Sequence, residues 1–159
     1  KLPVWPTTEV IFIIFPDLFF NIFLIENLLN KKDEVTCWGT GNPYREFMHV
    51  DDLGDAVVFS LEKWDPKASN APLDENGNPI SYLNIGTGVD ISIKDLAEKI
   101  STKVNYMGKI GWDKTKPNGT PKKLLDVSRI NKLGWKANIS LDKGIEETLK
   151  IYEKNNKTI

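Results

Sequence analysis

Trp38-Gly39-Thr40-Gly41-Asn42-Pro43-Tyr44-Arg45-Glu46-Phe47-Met48-His49-Val50-Asp51-Asp52 is the stretch of this chain on which the fold turns. Two glycines and a proline break the chain just after Trp38, and residues 45–49 then alternate polar and apolar as a strand does. Asp51-Asp52 stands where a helix N-cap belongs, and Leu53, Ala56, Val57, Ser60 and Leu61 follow at helical spacing until Trp64-Asp65-Pro66 stops them. Residues 34–38 read as a short strand ahead of the turn, so strand, turn, strand and helix succeed one another as in an α/β protein.

Working outward, residues 67–78 form a polar loop carrying proline and glycine, which belongs on the surface. Residues 81–85 are strand-like and run into Gly86-Thr87-Gly88. Ser92 is placed to cap a helix with Ile93, Leu96, Ala97, Ile100 and Val104 on one face. A short strand follows over 108–112, a brief helix from Ser128 to a stop at Gly134, and a last amphipathic helix over 141–152 through Ile145, Leu149 and Tyr152. The expectation is one small α/β lobe around a ligand cleft, divided into an apolar segment 1–33, a lobe 34–155 and a tail 156–159.

At 159 residues the chain can build one domain with a real core and is too short for two full domains. Lys+Arg 21 against Asp+Glu 22 gives a net charge of -1, so no global field holds nucleic acid and any anion must be bound by local cations. The single cysteine, Cys37, excludes an internal disulfide and fits a reducing, cytoplasmic setting. One His and one Cys cannot build a zinc cluster of the usual ligand types. Residues 10–25 are almost all apolar, but Pro16, Asp17 and Asn21 interrupt a run already short for a bilayer, and no cleavage site of the secretory kind follows it. A buried segment is the plainer reading, with membrane association through residues 10–25 as the alternative.

A second cluster, Asp113-Lys114-Thr115-Lys116-Pro117-Asn118-Gly119-Thr120-Pro121-Lys122-Lys123-Leu124-Leu125-Asp126, sets lysines on a loop shaped by proline and glycine. With the first cluster it suggests two walls of a site for a phosphorylated ligand. Arg45 offers a planar fork of N–H donors matched to diphosphate oxygens, or else an ion pair to Asp51 or Asp52. Trp38 can stack on a base or sugar, or end its strand in the core. Lys122 and Lys123 can neutralise phosphate or form a solvated basic loop, and the Asn118 amide can bond hydroxyls. Gly86-Thr87-Gly88 lacks the spacing of the dinucleotide fingerprint and reads as a tight connection. His49 has no nucleophile or cofactor beside it in sequence and reads as structural, as does Cys37.

These clusters, with N-I-G-T-G-V-D-I-S-I-K-D-L-A between them and L-G-W-K-A-N-I-S-L-D-K-G-I-E-E-T after them, closely resemble the GDP-L-fucose synthases over about residues 35–152. The resemblance implies the C-terminal, substrate-binding lobe of an extended short-chain dehydrogenase/reductase of the NAD-dependent epimerase/dehydratase family. The family couples epimerisation of GDP-4-keto-6-deoxy-D-mannose to reduction by NADP held in an N-terminal Rossmann domain. By motif position, Trp38, Arg45 and Lys123 look like the family's GDP-sugar contacts, and Asn118 falls where K-P-D-G has Asp.

No G-x-x-G-x-x-G and no Tyr-x-x-x-Lys pair stands in this sequence, and Cys37 and His49 are not the family's acid and base. Leu2-Pro3 is followed by Val4-Trp5-Pro6 where the family carries L-P-x-N-x-Y-G-P. The expectation is therefore a lobe with the Rossmann domain missing, binding the GDP-sugar, taking no cofactor by itself and inactive alone. It would self-associate or dock on a separately encoded Rossmann domain. A noncatalytic nucleotide-sugar binding or partner module is the alternative.

Overall fold

A computed structural model describes residue 30 and residues 32–156. The apolar run at 10–25, almost all of segment 1–33 and residues 157–159 of the tail lie outside the described residues. Strand β1 (Glu34–Trp38) buries Val35 and Cys37 and turns Glu34, Thr36 and Trp38 outward, the alternation a half-buried strand requires. It pairs in parallel with β4 (Lys109–Asp113), from Glu34 opposite Lys109 to Trp38 opposite Asp113. A second sheet has the order β3-β2-β5, with β2 (Tyr44–Glu46) antiparallel to β3 (Asp90–Ser92) and parallel to β5 (Lys122–Lys123). Four helices complete the described fold: α1 (Val50–Lys63), α2 (Ile93–Lys103), α3 (Ser128–Leu133) and α4 (Leu141–Asn156).

Two apolar cores result. Val35, Cys37, Phe47, Leu96, Ala97, Ile100, Ile145 and Leu149 pack β1 against α2 and α4. Met48, Ala56, Val127, Ile130 and Trp135 pack α1 against α3. Phe47 and Met48 are neighbours on one extended stretch and enter different cores, so the chain just after β2 acts as the partition between them. Burial raises the Cys37 thiol to about 11, which leaves it a packed, unionised residue.

Several local expectations hold. Ser92 Oγ accepts the Asp95 N–H at 3.0 Å and caps α2, Trp64 closes α1, and Gly134 ends α3 in the left-handed region at φ 109. Others are corrected. The α1 cap is His49, whose Nδ1 accepts the Asp51 N–H at 3.2 Å, and Asp51 and Asp52 lie inside the first turn. The second strand ends at Glu46 rather than His49, because residues 47–49 have no ladder partner. Residues 81–85 do not form a strand: among the described residues no backbone hydrogen bond engages 82–85, and strand propensity needs a neighbour to be realised.

Helices α2 and α4 are joined by cations on one and carboxylates on the other. Lys99 Nζ lies 2.9 Å from Asp142, and Lys103 pairs with both Asp142 and Glu146. Hydrogen bonds from Lys99 and Lys103 hold Asp142 and Glu146 below their ordinary values of 3.8 and 4.5. A depressed carboxylate contributes stability above its unfolded value and loses it as pH falls through the folded one. A Lys99→Met/Lys103→Met variant should therefore melt below the parent at neutral pH. That gap should close as pH falls below 4.5 and then 3.8, which thermal melts across the acid range will show.

Candidate functional site

The site is built on the three residues of β2. Arg45 and Glu46 are adjacent, point to opposite sides of the strand, and are both buried, 4% and 6% exposed. Arg45 Nη1 donates to the carbonyls of Tyr44 and Thr120, each at 2.7 Å. Glu46 Oε1 accepts the Gly88 N–H at 2.6 Å and the Thr87 hydroxyl at 3.2 Å, while Oε2 accepts the Leu125 N–H at 3.0 Å. One side chain thus holds the lysine-bearing loop, and the other holds both the glycine turn and the segment that follows β5.

The Gly39-Thr40-Gly41 turn closes on the same lysine-bearing loop. Gly39 N–H donates to the Asp113 carbonyl at 2.9 Å and Tyr44 N–H to the Pro121 carbonyl at 2.8 Å. Between them, the Thr40 N–H and hydroxyl donate to Asn118 Oδ1 at 2.7 and 2.9 Å. Lys116 Nζ stands 5.4 Å from the centre of the Trp38 ring, a cation–π arrangement on the outside of the lobe. The two clusters that are far apart in sequence therefore form one continuous surface.

Trp38 is 68% exposed, so the core reading for it is corrected: it follows Val35 and Cys37 by odd steps and must face outward. Arg45 is clasped to backbone carbonyls, and the Asp52 that was its alternative partner accepts instead from the Asn138 and Ile139 N–H groups at 3.0 and 2.9 Å. Lys122 is drawn 3.1 Å from Asp90, whereas Lys123 sits on the exposed strand β5 in register with Arg45. Asn118 is on the loop, with its carbonyl oxygen committed to Thr40. Trp38, Arg45, Asn118 and Lys123 are accordingly gathered around residues 114–123.

His49 is buried at the start of α1, with Nδ1 occupied by the Asp51 N–H and Nε2 3.6 Å from Glu147. Sequence reasoning overlooked Glu46, Thr40 and Asp55, the last accepting the Trp135 indole N–H at 2.8 Å, and read Asp52 only as a helix cap or a partner of Arg45. Their partners lie 41 to 87 residues away along the chain, so no local spacing announces them. The Gly86-Thr87-Gly88 turn does not fit a pyrophosphate: Glu46 already takes the Gly88 N–H, and a Cβ on Gly86 would lie 2.5 Å from Glu46 Oε1. A phosphate there would meet a carboxylate. Among the described residues no group of His, Cys, Asp and Glu could hold a metal ion, and no helix is long and apolar enough to cross a membrane.

Architecture and site define the class first: an α/β lobe whose structural neighbours are extended short-chain dehydrogenase/reductase enzymes, of which it covers a part. A GDP-6-OMe-4-keto-L-xylo-heptose reductase of Campylobacter jejuni superposes with a TM-score of 0.72 at 28% identity, over 88% of this chain and 47% of that one. The GDP-mannoheptose C4 reductase MlghC of the same species, solved with NADP bound, gives 0.61 at 35%, over 76% and 32%.

The sequence names the relatives more closely. The chain is 43% identical over 130 residues to GDP-L-fucose synthase 1 of Arabidopsis thaliana, covering 82% of this chain and 36% of that protein. It is 42% identical over 130 residues to GDP-L-fucose synthase of Escherichia coli (strain K12), covering 82% and 39%. The chain is a relative of the GDP-L-fucose synthases and spans between a third and two fifths of the length of these two. The pattern of the NAD dependent epimerase/dehydratase family matches residues 21–72, starting inside the apolar segment.

The Glu46 carboxylate should be among the most sensitive groups of the lobe. Glu46→Ala removes the acceptor shared by the Gly88 and Leu125 N–H groups and the Thr87 hydroxyl and should cost roughly 1–3 kcal/mol by urea unfolding, with Glu46→Gln losing less because it keeps an acceptor.

Proposed function

We propose that this chain supplies the GDP-sugar-binding surface of a GDP-L-fucose synthase-type enzyme. In that enzyme GDP-4-keto-6-deoxy-D-mannose is epimerised and reduced with NADP carried by a Rossmann domain. The observation that carries the reading is the meeting of the two clusters, with exposed Trp38 under Lys116 and Lys123 beside Arg45. An aromatic face and ammonium groups at one surface, over the buried Arg45 that holds their loop, match the base and the diphosphate of a sugar nucleotide. By itself the described lobe is proposed to bind the sugar nucleotide without turning it over, because of its two Gly-x-Gly turns the one at 86–88 is filled by Glu46 and the one at 39–41 is closed on Asn118. Hydride transfer also needs a bound nicotinamide and a proton donor.

Calorimetric titration tests the binding. GDP should bind more tightly than GMP, and Trp38→Ala should weaken GDP by about five- to a hundredfold, the range for losing one base–aromatic stack of roughly 1–3 kcal/mol. Because Trp38 is exposed, the same change should leave stability within about 0.5 kcal/mol. Equal affinity for GDP and GMP would remove the diphosphate from the reading.

A partner surface is part of the proposal. Val57, Val58 and Leu61 are 45%, 54% and 82% exposed on the side of α1 opposite Ala56, and residues 82–85 offer backbone groups that pair with nothing among the described residues. An apolar helix stripe and a segment outside any ladder are what a nucleotide-binding domain would cover. Without it, sedimentation at tens of micromolar, a rough concentration at which exposed patches show themselves, should reveal self-association of the chain. Val58→Lys/Leu61→Lys should reduce it, and a parent that stays monomeric would contradict the docking face.

A further inference from the structure

We propose that the Asn118-Gly119 pair, on the loop between β4 and β5, is a site of spontaneous covalent modification. The fold favours attack of the Gly119 backbone nitrogen on the Asn118 side-chain carbonyl, and the asparagine is thereby converted to aspartate and isoaspartate in the folded chain. The chemistry does not depend on the sugar-nucleotide reading; only its consequence for binding does.

In the first step a bond forms between the Gly119 nitrogen and Asn118 Cγ, and the bond from Cγ to Nδ2 breaks. Nδ2 leaves as ammonia with the proton that Gly119 gives up. The cyclic imide that remains takes up one water, which opens either of its two carbonyl–nitrogen bonds and leaves aspartate or isoaspartate at position 118. No oxidant or reductant enters. Asn118 and Gly119 are both exposed, so solvent reaches the imide.

Hydrogen bonding around the pair favours the attack. The Thr40 N–H and hydroxyl donate to Asn118 Oδ1 at 2.7 and 2.9 Å, so two donors already face the oxygen on which attack at Cγ puts negative charge. Donors preset at a developing oxyanion lower the barrier to its formation. An asparagine amide also carries two N–H donors. Among the described residues these meet no acceptor, and neither does the Gly119 N–H, so the leaving nitrogen and the attacking one are both untied. Gly119 stands at φ 70 and has no side chain to shield its nitrogen.

A second Asn-Gly pair in the same chain, Asn76-Gly77, lacks these features. Its attacking N–H is held by the Asp74 carbonyl at 3.1 Å, and among the described residues no donor faces the Asn76 side-chain oxygen. Asn76 and Gly77 are exposed as well, so the two pairs differ in hydrogen bonding rather than in access to water. Conversion at 118 would exchange two N–H donors, open to a ligand, for a negative charge on the surface proposed to take a diphosphate. The isoaspartate form would also lengthen the backbone between Pro117 and Gly119.

The test incubates the full chain at mildly alkaline pH, folded and in guanidinium chloride, and follows both pairs by peptide mass spectrometry with separation of the aspartate and isoaspartate forms. In the folded chain Asn118 should convert faster than Asn76, and in denaturant the two rates should come together. Thr40→Val removes the hydroxyl donor and should slow position 118 by about two- to tenfold, the rate equivalent of one hydrogen bond, with position 76 unchanged. Thr40→Ser keeps both donors and should match the parent, which separates loss of the donor from a loosened turn.

Conversion of Asn118 no faster than Asn76 in the folded chain, or a gap that persists in denaturant, would overturn the proposal. So would a Thr40→Val rate no lower than the parent's in a protein that still unfolds cooperatively. The readout needs no ligand, so a failure to bind GDP would remove the sugar-nucleotide reading and leave the modification standing.

Discussion

A carboxylate taken out of water is tolerated only when donors replace the water it lost, and Glu46 is such a group, buried with two N–H groups and a hydroxyl around it. Its partners come from the turn at 87–88 and from Leu125, so one side chain fixes two distant segments against a strand of three residues. A strand that short contributes little by its own ladder. What makes β2 the centre of the lobe is that Glu46 on one side and Arg45 on the other are both satisfied by backbone groups of the loops they organise.

The consequence for function is a division of labour between neighbours in sequence. Glu46 occupies the glycine turn and so takes that turn away from phosphate chemistry. Arg45 and the Thr40–Asn118 contact draw the lysine-bearing loop toward the outward face of β1, where Trp38 and Lys116 meet. The surface is polar, cationic and aromatic at the outside, and its support is the partly buried hydrogen bonding of Arg45 together with the exposed Thr40–Asn118 contact. On the proposed function, such an arrangement would hold an anionic ligand by preset geometry rather than by net charge, in keeping with a chain whose charges nearly cancel.

Much of the scaffold was legible because local chemistry decides it. The Ser92 cap, the Gly134 stop and the alternation of β1 are settled by residues within a few positions of one another. The same alternation already pointed Trp38 outward, a signal outweighed by the burial habit of tryptophan. The α1 cap went to His49 because an imidazole nitrogen can accept the Asp51 N–H as a carboxylate would, while Asp52 was taken up by Asn138 and Ile139. Glu46 gave no signal at all: in a polar and apolar alternation it reads as a solvated position, and only folding brings Gly88 and Leu125 to it. Residues 81–85 have strand chemistry without a strand partner among the described residues, so alternation alone could not tell them from a strand.

The central claim is that the two sequence clusters form one ligand surface, and backbone chemical-shift mapping during a GDP titration addresses it most directly. The account predicts shifts concentrated at Trp38, Thr40 and Gly41 together with residues 116–123, both groups saturating at one ligand concentration. A different hollow, about 560 Å³ between Lys63, Asp74, Asp126, Arg129 and Lys132, mixes cations and carboxylates and serves as the internal control. Shifts centred on that hollow, or on one cluster without the other, would contradict the account.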